Sequence, residues 1–264
     1  MKSGFGQFCP LAMACEVFAT RWTPIILREL FAGGHRFNEI HRAIPLISRT
    51  LLVKRLRDLE AAGVVTETPS AAGNGREYRL TEAGEEFRGV LAGLATWGQR
   101  WTDRARPENL NAGVFMWILR RRIANDRLPT RRVVAKFNFT GIPASHRGNR
   151  RFWLILERPA VDICVGDPGF EVELYLDADL AAMVKVHLGD LAFAEALRTK
   201  QIRMSGMPDL IRQFPSWLLL SSYAKVPRPG PGSRPGDRRS HEREPERIAV
   251  VEEGFQGETR GQTL

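Results

Sequence analysis

Along roughly the first hundred residues apolar side chains recur at helical spacing, and beyond residue 130 they mostly alternate, as strands do. The densest helical pattern is residues 37–63, FNEIHRAIPLISRTLLVKRLRDLEAAG. Phe37, Ile40 and Ile44 make one buried face, and Pro45 ends that helix because its ring cannot continue the hydrogen-bond ladder. Ser48 is placed to cap a second helix, its hydroxyl accepting from an otherwise orphaned N–H of the first turn. Leu52, Leu56 and Leu59 then form an apolar stripe, while Arg49, Thr50, Lys54 and Arg57 occupy the first turn and the opposite face. Two helices joined by a tight turn, the second apolar behind and basic in front, fit a DNA-reading pair. An ordinary amphipathic surface helix with solvated charges shows the same pattern.

The flanks extend this frame. Residues 8–19 read as a short helix with Leu11, Cys15 and Phe18 on one stripe. Thr23 is expected to cap the next helix, with Pro24 at its first position, where a missing N–H costs nothing. That helix carries Ile26, Leu27, Leu30 and Phe31 and stops at Gly33 and Gly34. After Gly63, residues 64–68 and 76–80 read as the strands of a hairpin, with turn formers between them. Following directly on the basic helix, this hairpin has the position of a wing, with Arg76 at its edge, within reach of a phosphate or a minor groove. A solvated hairpin arginine is the competing reading of Arg76. Thr81 caps a long helix on which Val90, Leu94, Trp97 and Trp101 follow at i, i+4, i+7 and i+11, more aromatic surface than a small winged domain needs to bury.

A second unit starts near Glu108. Residues 110–124 are helical, and residues 133–139, 152–156, 161–165 and 170–176 read as strands by period and by β-branched and aromatic content. Two helical pieces at residues 179–188 and 190–198, a strand at 202–204 and a final segment at 209–224 complete it. From Lys225 the chain is rich in Pro, Gly and charge and too poor in apolar residues to offset its entropy, so disorder is expected, with a weak strand at 248–251 as the exception.

The 264 residues carry a formal charge of +9, a bias toward polyanions that a solvated surface also produces. The excess is spread as +4, +4 and +1 over residues 1–106, 107–224 and 225–264, so no basic tail accounts for it. Three widely spaced cysteines suggest neither a disulfide framework nor a zinc site, and five histidines without ligand spacing argue against a structural metal. No nucleophile elbow, phosphate loop or dinucleotide fingerprint occurs, so no catalytic residue, metal or cofactor is expected, and an enzyme is disfavoured. Without a leader pattern or an 18-residue apolar run, a cytoplasmic protein that does not enter membranes is expected.

Taken in order, Cys9-Pro10, Arg21-Trp22-Thr23, ILREL, HRFNEI, the Leu52–Gly63 run, EYRLTEAG and Trp97-Gly98 resemble the HxlR-type winged-helix regulators of bacteria over about residues 8–101. That resemblance implies a dimeric, operator-binding transcription factor in which the long helix and the N-terminal one form the dimer interface. It also raises Cys9, since the matching cysteine senses oxidants or electrophiles in some members; a small apolar residue at the dimer base is the other reading. The DNA-facing candidates are Arg36, Ser48, Arg49, Thr50, Lys54, Arg57, Asn74 and Arg76. Val53 departs from the family pattern, where Thr is common, and Arg55 is expected to support the fold.

Residues 130–220 resemble the sterol-carrier-type (SCP2-like) lipid-binding fold in their run of elements and in Gly189, Ala196 and Gly206. This implies an apolar ligand or lipid between a sheet and its covering helices, with Phe137, Phe139, Trp153, Ile155, Phe170, Leu174, Leu176 and Met183 as candidate lining. The same residues closing on each other as a dry core is the alternative. The expected architecture is therefore a mainly α winged helix-turn-helix domain (1–106), an α+β domain with a mixed sheet covered by helices (107–224), and a tail (225–264). The expected function is a one-component regulator that binds a palindromic double-stranded operator as a homodimer and answers to an apolar ligand. A lipid carrier that uses its helix-turn-helix for assembly, or a Cys9 redox-sensing repressor, are the alternatives.

Overall fold

Four helices open the chain: α1 (Pro10–Phe18), α2 (Thr23–Phe31), α3 (Phe37–Ala43) and α4 (Arg49–Ala61). The computed structural model describes residues 4–70, 75–102, 106–144 and 148–228. The expectations for the tail from residue 229 onward, and for Asn74, fall outside the described residues. A first core gathers Ile26 and Leu27 of α2, Ile40 of α3 and Leu52, Leu56 and Leu59 of α4, each at most 1% exposed. Burial of this kind is worth about 1.5–3 kcal/mol per side chain, enough to fix which face of α4 points outward.

Strands β1 (Val65–Pro69) and β2 (Arg76–Leu80) pair antiparallel from Val65↔Leu80 to Pro69↔Arg76. The segment before α3 joins them: Tyr78 N–H donates to the His35 carbonyl at 2.8 Å, and Arg36 bridges to Glu77. Thr81 caps α5 (Glu82–Trp101), accepting from Gly84 N–H at 3.1 Å while donating to the Gly63 carbonyl at 2.6 Å. Gly84 is required there, because a Cβ would stand 2.2 Å from the Val64 carbonyl oxygen.

Two local expectations change. Thr23 does not cap α2 but is its first residue; Trp22 holds the cap position at φ 80°, and the buried Thr23 hydroxyl bonds that of Thr20 at 2.6 Å. The Leu11, Cys15 and Phe18 stripe of α1 is not covered within the chain, since none of the helix's residues is buried and Leu11 is 72% exposed; Phe18 stacks on Phe87 at 5.2 Å.

The second core surrounds a five-stranded sheet of β3 (Val133–Thr140), β4 (Arg151–Leu156), β5 (Val161–Cys164), β6 (Leu174–Asp179) and β7 (Ile202–Gly206), ordered β5-β4-β3-β6-β7. All neighbours are antiparallel except β3 and β6, so the sheet is mixed. Helices α6 (Ala112–Arg120), α7 (Leu180–His187), α8 (Phe193–Arg198) and α9 (Pro208–Trp217) complete this part. The expected strand at 170–176 instead runs from Leu174 to Asp179: β5 and β6 lie on opposite sides of the β4–β3 pair, so residues 165–173 are used in passing it.

The two cores are joined. Glu29 of α2 is only 2% exposed, and its Oε2 accepts from Arg121, just past α6, at 2.7 Å. Its other oxygen accepts from Arg28 Nε at 2.9 Å and Nη2 at 2.6 Å. Trp117 of α6 packs against the first core, with Arg120 and Arg121 over its ring at 4.9 and 5.4 Å. At the end of α5, Gln99 Nε2 donates to the Leu188 carbonyl at 3.4 Å.

Candidate nucleic-acid interface

The outer face of α4 starts from its cap. Ser48 Oγ accepts from Leu51 N–H at 3.2 Å, which leaves the other first-turn N–H groups at an exposed positive helix end. Because Leu52, Leu56 and Leu59 are fully buried, Arg49, Thr50, Lys54 and Arg57 face outward. With Phe37, Val53 and Asp58 they line one open groove. Among the described residues Thr50, Lys54 and Arg57 make no side-chain hydrogen bond or ion pair, so their full charge and donor capacity point to solvent.

Arg49 is held in place. Its Nη2 donates to Asn38 Oδ1 at 2.9 Å, and its guanidinium lies 5.0 Å from the centroid of Phe37. Sequence reasoning put Phe37 in the core and did not consider Asn38. Phe37 is half-buried, so one ring serves both the core and Arg49. The available signal was that positions 37 and 38 open the helix immediately before Ser48. Arg55 does not line the groove and pairs with Asp58 at 3.1 Å.

The wing cations are committed to wing acids. Arg76 is exposed, yet its Nη1 donates to Glu67 Oε2 at 2.6 Å. Glu67 also accepts from Tyr78 at 3.1 Å, and burial followed by that bond pushes the phenol up to about 12. Arg36 Nη2 donates to Ser70 Oγ at 3.3 Å, with Nε 3.8 Å from Glu77. Hydrogen bonds from Ser70 and Arg79 hold the Glu77 carboxyl below its ordinary range. A phosphate reaching Arg36 or Arg76 therefore competes with an acid already in place, whereas one reaching Lys54 or Arg57 does not. Arg79, which sequence reasoning passed over, is exposed and bonded to Glu77 at 2.8 Å.

The eight residues proposed to line an apolar pocket divide. Strand pairing puts Phe137, Phe139, Leu174 and Leu176 on the same face of the sheet as Leu154 and Leu156, and all are buried there with Met183. Phe137 contacts the rings of Phe139 at 5.9 Å and Phe214 at 6.1 Å. Trp153 and Ile155 pair with Lys136 and Val134 and so point to the opposite face, where Lys136 Nζ stands 5.0 Å from the Trp153 centroid. Phe170 lies in the crossing segment, 42% exposed, under the Arg132 guanidinium. Cys9 is exposed at the cap of α1.

Comparison with known proteins matches residues 17–106 to the HxlR-like helix-turn-helix family. The chain is 34% identical over 103 residues to the HTH-type transcriptional regulator YvaP of Bacillus subtilis, covering 37% of this chain and 92% of YvaP. It is 33% identical over 97 residues to YdeP of the same organism, covering 36% and 76%. Among solved structures, the oxidised form of the redox regulator HypR shares 31% identity over 36% of this chain and 99% of HypR, with a TM-score of 0.34. Reduced YodB from Bacillus subtilis shares 30% over 35% and 93%, with a TM-score of 0.32.

Proposed function

The chain belongs to the HxlR-like helix-turn-helix family through residues 17–106 and is a transcriptional regulator; on that premise we propose that it acts as a homodimer on a two-fold-symmetric DNA operator, with α4 as the reading helix. The observation that carries this reading is the α4 face, where Thr50, Lys54 and Arg57 stand uncommitted beside a pre-oriented Arg49. Arg49, Thr50 and Lys54, nearest the helix start, meet base edges, and the Ser48 end meets a phosphate. Arg36 and Arg76 make secondary backbone contacts, at the expense of Glu77 and Glu67. No catalytic role is assigned to any residue.

The dimer surface is the outer side of α1 and α5. Val90, Leu94 and Trp97 are 50%, 48% and 59% exposed, and Phe8 is 98% exposed. The Phe18–Phe87 stack ties α1 to α5, and exposed apolar side chains at both helices call for a second copy of the same chain. Each copy supplies one reading helix, which sets half-sites about one helical turn, roughly 10 bp, or a multiple apart. Occupying an operator represses by exclusion. DNA flanking the chain's own gene, tested by gel shift with the purified protein, is expected to contain such an inverted repeat; binding with no preference for it over shuffled DNA rejects the reading.

The α+β domain is the sensing part. A sterol-carrier-type ligand between sheet and helices requires the rings of Phe137, Phe139 and Phe214 to separate, and mass spectrometry of gently purified protein would find the co-purified lipid. A Cys9 switch has in its favour only the exposure of that thiol.

A further inference from the structure

A cleft of about 580 Å3 opens where α2 meets α6, α7 and the chain segment after α9. Val114, Phe115, Ile118, Val184 and Leu188 give it an apolar wall. Its polar rim includes Arg121, Arg122, His187 and the hydroxyl-bearing run Ser221-Ser222-Tyr223. The acid in the cleft, Glu29, is spoken for, with one oxygen on Arg28 and the other on Arg121.

Arg122 and His187 are not satisfied in the same way. Arg122 Nη2 donates to the Leu220 carbonyl, but its Nε is buried with no hydrogen-bond partner among the described residues. His187 Nδ1 is in the same condition. Buried polar atoms nearly always find partners, and two orphans on cleft-lining residues from different helical regions are an imbalance that a small shift of either side chain toward a ligand in the cleft would relieve. Burial and the neighbouring Arg122 lower the His187 pKa to about 4, so its ring is neutral at pH 7 and offers one donor and one acceptor.

We infer that this cleft binds a small aromatic carboxylate, its ring against Phe115 and Ile118 and its carboxylate on Arg122 beside His187. The guanidinium selects an anion, because a charge-assisted bond to a planar carboxylate is about twice as strong as a neutral one. The apolar wall selects a hydrophobic body, and the volume suits one or two fused rings. Arg122 adjoins Arg121, which holds Glu29 of α2, so the ligand's charge falls beside the ion pair that joins the sensing part to the helix-turn-helix. The inference rests on the regulator reading for its purpose, but its test does not.

Isothermal titration of the full chain with 1-naphthoate, against 1-naphthalenemethanol as the uncharged counterpart, tests it without DNA. One site per chain is expected, with the alcohol weaker by about tenfold or more, the weight of a charged hydrogen bond. Arg122→Gln should weaken naphthoate binding by a similar factor. Val184→Phe, which fills the cleft and leaves the Leu220 hydrogen bond in place, should remove it even if Arg122→Gln fails to fold. Absence of naphthoate binding, equal affinity for acid and alcohol, or binding unchanged in the folded variants overturns the assignment. Titration of the same protein with operator DNA separates the two readings: DNA binding without naphthoate binding rejects the cleft alone, and the reverse rejects the operator alone.

Discussion

Arg49 and Lys54 sit five residues apart on α4 but stand differently toward DNA. Among the described residues Lys54 is an unpaired cation, so Lys54→Ala should cost operator binding about 1–3 kcal/mol, relax preference at the base it meets and make the salt slope shallower. Arg49 is oriented in advance by Asn38 and Phe37, which reduces the ordering cost of a base contact. Arg49→Ala should therefore cost a similar amount and likewise relax sequence preference, and Asn38→Ala should lose part of that effect. Both positions are exposed, so stability should change by no more than about 0.5 kcal/mol. Fluorescence anisotropy over a salt series, beside thermal melts, checks this set; unchanged affinity and slope in both the Arg49 and Lys54 variants would show that α4 does not read DNA. His187 makes a different prediction. Its folded pKa of about 4 lies below its ordinary 6.5, so the unfolded chain takes up a proton first as pH falls. Stability is then full above about pH 6.5 and declines toward pH 4, by up to about 3 kcal/mol from this group. His187→Gln should flatten that window in urea melts run from pH 7 to 5. Glu77, also lowered, adds to the decline only below its ordinary value of 4.5.

At the scale of elements, α4, the wing and α5 form one frame around two small contacts, Thr81 with Gly63 and Gly84 with Val64. Gly84→Ala should push α5 off the root of the wing and cost about 1–3 kcal/mol, the usual range for overpacking; a thermal midpoint equal to the parent's would contradict that geometry. This frame was legible in the sequence because each part leaves a local mark. Leu52, Leu56 and Leu59 at helical spacing, the cap at Ser48 and the Thr81 start of α5 need no knowledge of distant residues. What was not legible depends on distant partners. Residues 170–173 alternate as a strand does, yet passing β4 and β3 uses them up. Trp153 and Phe137 look alike in the pattern, but the sheet sends them to opposite faces, because alternation gives a side chain's parity and not which parity is covered. Arg76 reads as a free edge cation until pairing sets Glu67 beside it. The cleft was invisible for the same reason, since its orphaned atoms are defined by elements far apart in the chain.

For the whole molecule, the proposed dimer and the joint between the two cores carry the testable content. Trp97→Asp puts a charge into the exposed α5 stripe without touching either core, and should turn a dimer into monomers by sedimentation velocity while leaving the helical signal intact. A parent chain that is already monomeric, or a variant that stays dimeric, removes α5 from the interface. The joint is the buried Glu29 with its two arginines. Arg121→Met leaves that carboxylate half-neutralised by Arg28 and should cost about 2–4 kcal/mol. Adding Glu29→Gln should recover part of the loss, and the double-mutant cycle measures the coupling directly. The joint also has a consequence in time. Arg121 follows Glu29 by 92 residues, so a chain emerging from the ribosome completes its helix-turn-helix before the second partner of that buried acid exists. The helix-turn-helix is therefore made while Glu29 has only the neighbouring Arg28 to pair with, and the contact that ties it to the second core is the last to close.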